Sequence, residues 1–571
     1  MMQVAAPSPG AEALKHSKFF GGEDGKEAVE QPGVLRCASR DDLKLEVIRE
    51  ISRAAYYQGN SEVSVGGGLN RSKRHVERER LTPDAHGMVL ALVGLPARGK
   101  SFISRKIERF LQWRGLPTRV FNVGKYRREA VRPEESGRSD FFDAGNKAAM
   151  AARETAAVAA LDDAFGFLNS GGKIAILDAT NSTAARRKLI VNQVRAYGKP
   201  FEVVFLEAIC EDAEVLEANM LGKVQNSPDF WQLSPADALA DLKARIAKYE
   251  EVYETVQDHE GAYIKAFDLS SKIMANNCYG RLAKSMLPFM MAIHIGARPI
   301  WLIRAGSGEA NPQSPKGDRC SKLSHAGKGY ALSLTDFVRT RAERYWKKAG
   351  KSKEPTMVLT STMPRAEASV CYLTSSHEQT SALNPIDKGA LGVGWWDVEC
   401  HGNAPPWDEM ESRHAEFFSE WKKDPFRTRF PGGESYMDVM KRLETLLVEV
   451  EMSTRPVLIV SHITVLQLLI AYFRGSPVEE AWTLSMPKNT VMEISPTSGG
   501  GFVYEEHPLI ARTSDEEHLR SSDGDSDDRD SVAGESQGGD WSPVKRREPP
   551  LDEQAEAGAK LGGKTKRMRS E

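Results

Sequence analysis

From residue 88 the chain alternates short, almost unbroken apolar runs with longer stretches that are apolar at every third or fourth position. MVLALVGL at 88–95 is followed by TRVFNVG at 118–124, GKIAILDAT at 172–180 and FEVVFLEAI at 201–209. Runs that are apolar at consecutive positions belong to strands buried on both faces. Their alternation with helical stretches predicts a parallel sheet with helices on both sides. A second series opens with PIWLIR at 299–304 and continues through TMVLTST at 356–362 and PVLIVSH at 456–462. Helical stretches such as SYMDVMKRLETLLVEVE at 435–451 lie between its runs. The pattern predicts two successive α/β domains, 87–297 and 298–510.

The flanks read differently. Residues 1–86 mix Pro, Gly and charge, and one helix is expected over LKLEVIREISRAAYY at 43–57. The basic run RSKRHVERER at 71–80 reads as a solvated linker, with a nuclear or anionic-surface role as the alternative. Residues 511–571 are acidic and Ser-rich, then basic, and are expected to be disordered because they cannot bury a core.

Composition narrows the class. A chain of 571 residues is too long for one core, and 40% hydrophobic with 27% charged residues is a globular balance. A formal net charge of −2 gives no global attraction to nucleic acid or membrane, so neither is expected as a partner. The six cysteines are scattered singly, with neither zinc spacing nor a disulfide framework, which points to a reducing compartment. The first residues lack the apolar core of a secretory signal. The longest apolar stretch, MLPFMMAIHIGA at 286–297, is too short to span a bilayer. A cytoplasmic enzyme is the expectation.

The strongest chemistry lies in GLPARGKS, Gly94 to Ser101, which fits G-x-x-x-x-G-K-[ST] between a buried strand and a helix. Gly94 and Gly99 let the backbone curl so that successive N–H groups face phosphate oxygens. Lys100 can reach the terminal phosphates, the Ser101 hydroxyl can reach Mg²⁺, and the helix N-terminus adds positive potential. A tight glycine turn with an exposed lysine is the bland alternative. Asp178 ends the strand KIAILD, where a metal or substrate carboxylate belongs, although strand-ending aspartates are common in plain turns. Arg127 and Arg128 follow the strand at 118–124 and could hold a phosphorylated acceptor bidentately; an RR pair is otherwise a solvated helix face.

GLPARGKS, FNVGKYRREA, LDATN and SPDF at 227–230 together resemble the 6-phosphofructo-2-kinase/fructose-2,6-bisphosphatase family, and the resemblance runs over about 88–507, both domains in order. It implies a P-loop kinase domain followed by a phosphoglycerate-mutase-like α/β domain. The implied reaction is ATP-dependent phosphorylation of the 2-hydroxyl of fructose 6-phosphate, giving fructose 2,6-bisphosphate. By resemblance, Gly94, Arg98, Gly99, Lys100 and Ser101 bind ATP, and Ser101 and Asp178 hold Mg²⁺. Arg127, Arg128, Arg153, Thr180, Arg245 and Tyr249 hold the sugar phosphate. Lys100, Asp178 and Lys223 are the expected catalytic groups, and Cys210 falls at a family cysteine near the site. A homodimer is the family's expectation.

In the same family the first strand of the second domain ends in Arg-His-Gly, whose histidine becomes phosphorylated. Here the match is Arg304–Ala305–Gly306, and a methyl group cannot accept a phosphoryl group. His462 matches the second histidine, Asp397 falls nearest the acid-catalyst glutamate, and Asn311 and Arg429 persist. Ile463 and Gln467 replace residues that are usually polar and basic. The leading expectation is therefore a 6-phosphofructo-2-kinase with a degenerate phosphatase domain. A bifunctional enzyme with residual hydrolysis, a non-catalytic ATP or sugar-phosphate binder, and a P-loop kinase for another small substrate are the alternatives.

Overall fold

The computed structural model describes residues 87–131, 138–143, 145–269, 272–294, 296, 298–306, 323–387, 411–497 and 499–510. The helix expected at 43–57, the basic run at 71–80, the tail from 511, Asn311 and Asp397 lie outside them.

The first sheet has β1 (Gly87–Val93), β2 (Thr118–Asn122), β3 (Ile174–Asp178), β4 (Phe201–Ile209), β5 (Ala262–Phe267) and β6 (Lys272–Asn276), in the order β2-β3-β1-β4-β5-β6. All pairings are parallel except β5 with β6. Every residue of β1 is buried, as its unbroken apolar run requires. Met88, Leu90 and Leu92 face one core with Ile103, Ile107 and Phe110 of α1 (Lys100–Trp113). Val89, Ala91 and Val93 face the other. Connections leave β1 for β2 and β3 on one side and then cross to β4 on the other. The loops at the carboxyl ends of β1, β3 and β4 therefore open a crevice, the usual ligand position in such sheets.

The helices that follow in this domain are α2 (Val123–Ala130), α3 (Lys147–Asn169), α4 (Ala184–Ala196), α5 (Ala213–Asn226) and α6 (Pro235–Glu250). α7 (Arg281–Ala292) packs on α1, with the Phe289 and Phe110 rings stacked. The strand expected at 118–124 stops at Asn122. The Asn122 side chain accepts from the Lys125 N–H and caps α2, so Val123 and Gly124 are helical.

The second sheet has β7 (Ile300–Arg304), β8 (Met357–Thr360), β9 (His377–Gln379), β10 (Val457–Ser461), β11 (Thr490–Pro496) and β12 (Phe502–Pro508), in the order β12-β11-β7-β10-β8-β9. Its middle strands are parallel, and β11 and β12 run antiparallel at one edge. Its helices include α8 (His325–Ala349), α9 (Pro364–Ala368), α10 (Ala415–Trp421), α11 (Tyr436–Met452) and α12 (Ile463–Arg474). One buried apolar cluster joins α1 and α7 to α11 and α12, so the two sheets share a core. No described helix is long and apolar enough to cross a membrane.

Candidate active site

The loop after β1 is shaped by its glycines. Gly94 has φ 136°, its N–H donates to the Thr180 carbonyl at 2.9 Å, and a Cβ there would come within 2.6 Å of the Ala208 carbonyl oxygen. Gly99, at φ 79°, caps α1. Lys100 is buried and its Nζ donates back to the Leu95 carbonyl at 2.6 Å. Burial, with help from the neighbouring Lys223 charge, brings its pKa down to about 7 against the pull of Asp178. The Ser101 hydroxyl donates to Asp178 Oδ2 at 2.7 Å, and the Asn122 amide donates to the same oxygen at 2.7 Å. The carboxyl end of β3 thus meets the first turn of α1. Arg98 stays on the loop, near the Pro96 carbonyl and 3.6 Å from Glu250.

A second group lies along the same edge. Arg127 Nη2 donates to both oxygens of Asp229 at 2.6 and 2.7 Å, Arg245 Nη1 donates at 2.9 Å, and Arg128 is at 3.4 Å. Arg245 also reaches Asp241 at 3.0 Å. Burial pushes the Asp229 carboxyl up, but Arg127 and Arg245 outweigh it and bring it down to about 2. The Phe142 ring lies under both guanidiniums, 5.1 Å from Arg127 and 4.4 Å from Arg245. Burial lowers the Lys223 pKa, and its ammonium feels the charges of Arg245, Asp178 and Asp229.

Arg153 is near the Phe142 and Asp143 carbonyls, and Tyr249 packs against the Phe142 ring at 5.8 Å. Thr180 contributes its carbonyl to Gly94. Cys210 is a buried thiol whose pKa burial pushes up. The geometry gives a role to Asp229, which lies in SPDF without an assigned role, and adds Arg186, which no motif contains. Asp229 organises the arginines. Arg186 lies in the field of Glu154, Arg153 and Tyr249, with its Nη1 buried and making no hydrogen bond. A buried guanidinium nitrogen without an acceptor is costly unless something anionic arrives.

In the second sheet, the Ala305 N–H donates to the Ser461 carbonyl at 3.0 Å, which sets Ala305 beside the start of α12. Arg304 donates to the Met486 carbonyl at 3.0 Å, and the Gly306 N–H donates to Ser369 Oγ at 2.8 Å. His462, almost fully buried, meets Arg365 through Nδ1 and Ser361 Oγ through Nε2, each at 2.8 Å. A guanidinium can only donate, so Nδ1 accepts and the ring proton sits on Nε2, donated to Ser361. Gln467 is locked as well: its amide donates to the Trp482 and Leu484 carbonyls and its carbonyl accepts from Tyr436. Arg429 is exposed and held by Asp438 at the start of α11, and no described contact joins it to His462.

A glycine loop that ends a buried strand and meets a strand-end carboxylate is the arrangement of a P-loop nucleotide-binding fold, and here a second α/β sheet follows it in the chain. Residues 78–297 match the family model described as 6-phosphofructo-2-kinase, and 300–507 match the histidine phosphatase superfamily (branch 1). A 6-phosphofructo-2-kinase/fructose-2,6-bisphosphatase from Gallus gallus is 36% identical over 416 residues, covering 72% of this chain and 83% of that protein. One from Arabidopsis thaliana is 37% identical over 417 residues, and the match spans 52% of its length. 6-Phosphofructo-2-kinase/fructose-2,6-bisphosphatase 3 of Homo sapiens is 35% identical over 420 residues and is covered to 75%. The chain belongs to the 6-phosphofructo-2-kinase/fructose-2,6-bisphosphatase family.

Proposed function

We propose that this chain is a 6-phosphofructo-2-kinase that makes fructose 2,6-bisphosphate from ATP and fructose 6-phosphate, and that its second domain has lost fructose-2,6-bisphosphatase activity. The observation that carries the kinase reading is the convergence at one sheet edge of Lys100, Ser101 and Asp178 with the arginines around Asp229, joined through Asn122, which donates to Asp178 and caps the helix that bears Arg127. In this reading ATP phosphates lie along the N–H groups from Gly94 to Ser101, and Lys100 exchanges the Leu95 carbonyl for a phosphate oxygen. Arg98 flanks the nucleotide. Arg127, Arg128, Arg153 and Arg245, with Thr180, Tyr249 and Arg186, hold the sugar phosphate in line. Lys223 stabilises charge on the phosphoryl group in flight, and a loose transition state asks little of a general base.

A hydroxyl with one carboxylate suits Mg²⁺, which keeps waters and phosphate oxygens as its remaining ligands; Ser101 and Asp178 would hold it, and it would neutralise developing phosphate charge. Loss of the phosphatase rests on Ala305, since a methyl group cannot carry a phosphoryl group. His462 gives no second route, because Arg365 and Ser361 engage both of its nitrogens. A cytoplasmic setting is supported by the free thiols of Cys210, Cys278 and Cys371.

The test is a pair of assays on one purified sample: ATP-dependent formation of fructose 2,6-bisphosphate, and its hydrolysis. Synthesis without hydrolysis is expected. Hydrolysis by the native chain would overturn the reading of Ala305, and the absence of both activities would overturn the kinase.

A further inference from the structure

The helix that begins with Lys100 and Ser101 does not end inside its own domain. One face of α1 is pressed against the second domain along its length. At its first turn, a Cβ on Gly500 would come within 3.1 Å of the Phe102 carbonyl oxygen, so the β11–β12 hairpin sits directly on the helix backbone. Arg105 and Arg109 donate to the Gly499 and Gly500 carbonyls at 3.1 and 2.8 Å. At its last turn the Trp113 indole donates to the Leu468 carbonyl of α12 at 2.9 Å, and Arg114 pairs with Glu444 of α11 at 3.0 Å.

Between these ends lies a buried charge pair. Lys106 Nζ is 2.8 Å from Glu451 Oε2, with side-chain exposures of 3% and 2%. The Tyr472 hydroxyl donates to the other Glu451 oxygen at 2.6 Å, and Lys106 lies 4.3 Å from the Phe502 ring centre. A seam that needed only adhesion would be served as well by apolar residues, because desolvation cancels most of a buried pair's attraction. What the pair adds is direction. A salt bridge with one geometry fixes the rotation and sliding of α1 against α11 and α12, which apolar packing leaves looser. Lys106 stands only about 7.5 Å along the helix axis from Ser101. A shift of α1 is therefore a shift of the phosphate loop, and an ångström of misplacement can cost about 100-fold.

We propose that Lys106 and Glu451 are positioning residues for ATP: the second domain, which does no chemistry of its own, holds the phosphate-loop helix in register through this pair. The inference rests on reading Gly94–Ser101 as the ATP loop.

The experiment uses the full chain and measures ATP affinity by calorimetry in the presence of Mg²⁺, the KM values for ATP and fructose 6-phosphate, and the melting temperature. Glu451→Gln and Lys106→Met should each weaken ATP binding by about tenfold and leave the fructose 6-phosphate KM within about twofold. The double variant Lys106→Met/Glu451→Gln removes both charges of the pair and keeps an acceptor for Tyr472, although Arg298 loses the Glu451 charge and keeps only the Val450 carbonyl; it should regain part of the melting temperature but not the ATP affinity. If affinity and melting temperature recover together, or if the single variants melt earlier and bind ATP normally, the pair is only filling and the inference falls. Should a single variant fail to fold, Tyr472→Phe removes one hydrogen bond from Glu451 and should still weaken ATP by about two- to fivefold; an unchanged affinity overturns the inference. A native chain that binds ATP without making fructose 2,6-bisphosphate removes the sugar assignment and leaves this inference to be decided by the same variants. A native chain that binds no ATP removes both.

Discussion

Replacing Asp229 by Asn tests the sugar-phosphate half of the site most directly. Its carboxylate neutralises Arg127 and Arg245, which otherwise share the Phe142 ring as buried like charges. The two guanidiniums bring the carboxyl from 3.8 down to about 2 against the effect of burial. At about 1.4 kcal/mol for each tenfold in proton affinity, that difference contributes roughly 2.5 kcal/mol to stability at neutral pH. Because the folded pKa is the lower one, this contribution is complete above 3.8 and disappears as the pH falls through about 2. Asp229→Asn should lose it, and a stranded buried charge raises the expected cost to about 3–5 kcal/mol. The arginines would splay, so the fructose 6-phosphate KM should rise by roughly 10- to 100-fold while the ATP KM stays within about twofold. The checks are denaturant unfolding at pH 7 and below 4, and initial rates of fructose 2,6-bisphosphate formation with each substrate varied. A KM for ATP that rises in parallel, or lost stability with both KM values unchanged, would refute the assignment of Asp229 as organiser of the sugar site.

Four further outcomes are expected. Lys100→Met should lower kcat/KM for ATP by at least about 100-fold yet raise the melting temperature of the unliganded chain, since a buried ammonium is removed. The native chain should gain stability from Lys100 as the pH rises from about 7 toward 10.5, because the unfolded chain keeps that proton longer; Lys100→Met should lack this slope in denaturation at several pH values. Arg186→Gln should raise the fructose 6-phosphate KM by roughly tenfold without changing that for ATP, read from the same initial rates. Ala305→His should form an acid-labile phosphoenzyme from fructose 2,6-bisphosphate carrying radiolabelled phosphorus in its 2-phosphate, with fructose 6-phosphate leaving, and the native chain should form none.

The central strands were legible in the sequence because they are buried on both faces. β1, β3 and β10 are wholly buried, and β4 and β7 nearly so. Of the four edge strands only β2 was legible. β6 and β12 expose most of their residues, and β9 is three exposed residues, so none makes an apolar run. β5 is hidden for another reason: Lys265 interrupts its run and is buried against Glu207 of β4, a pairing visible only once the strands are adjacent. The site divides in the same way. Gly94 to Ser101 act as a contiguous segment, so spacing alone exposes them. Asp229 lies 102 residues from Arg127, and nothing local marks it as the counter-charge. Arg186 stands in an ordinary Arg-Arg pair on α4, where its neighbour Arg187 is bound to Glu260.

On the proposed reading, the second domain loses its chemistry and keeps its shape because the two depend on different residues. Ala305 is half-buried at a strand end, and its backbone still pairs with Ser461, so removing an imidazole there costs the sheet nothing. Gln467 satisfies both ends of its amide internally, and Arg365 and Ser361 satisfy His462, so the altered pocket leaves these polar side chains partnered. The opposite side of the domain has no such freedom. Leu443, Leu447, Leu468 and Leu469 belong to the same buried cluster as Ile103, Ile107 and Phe110 of the phosphate-loop helix. Truncating one of those leucines to alanine would open a cavity costing about 2–5 kcal/mol, shared by both domains. On that reading the altered pocket can vary without touching the kinase domain, whereas α11 and α12 share the core of the phosphate-loop helix.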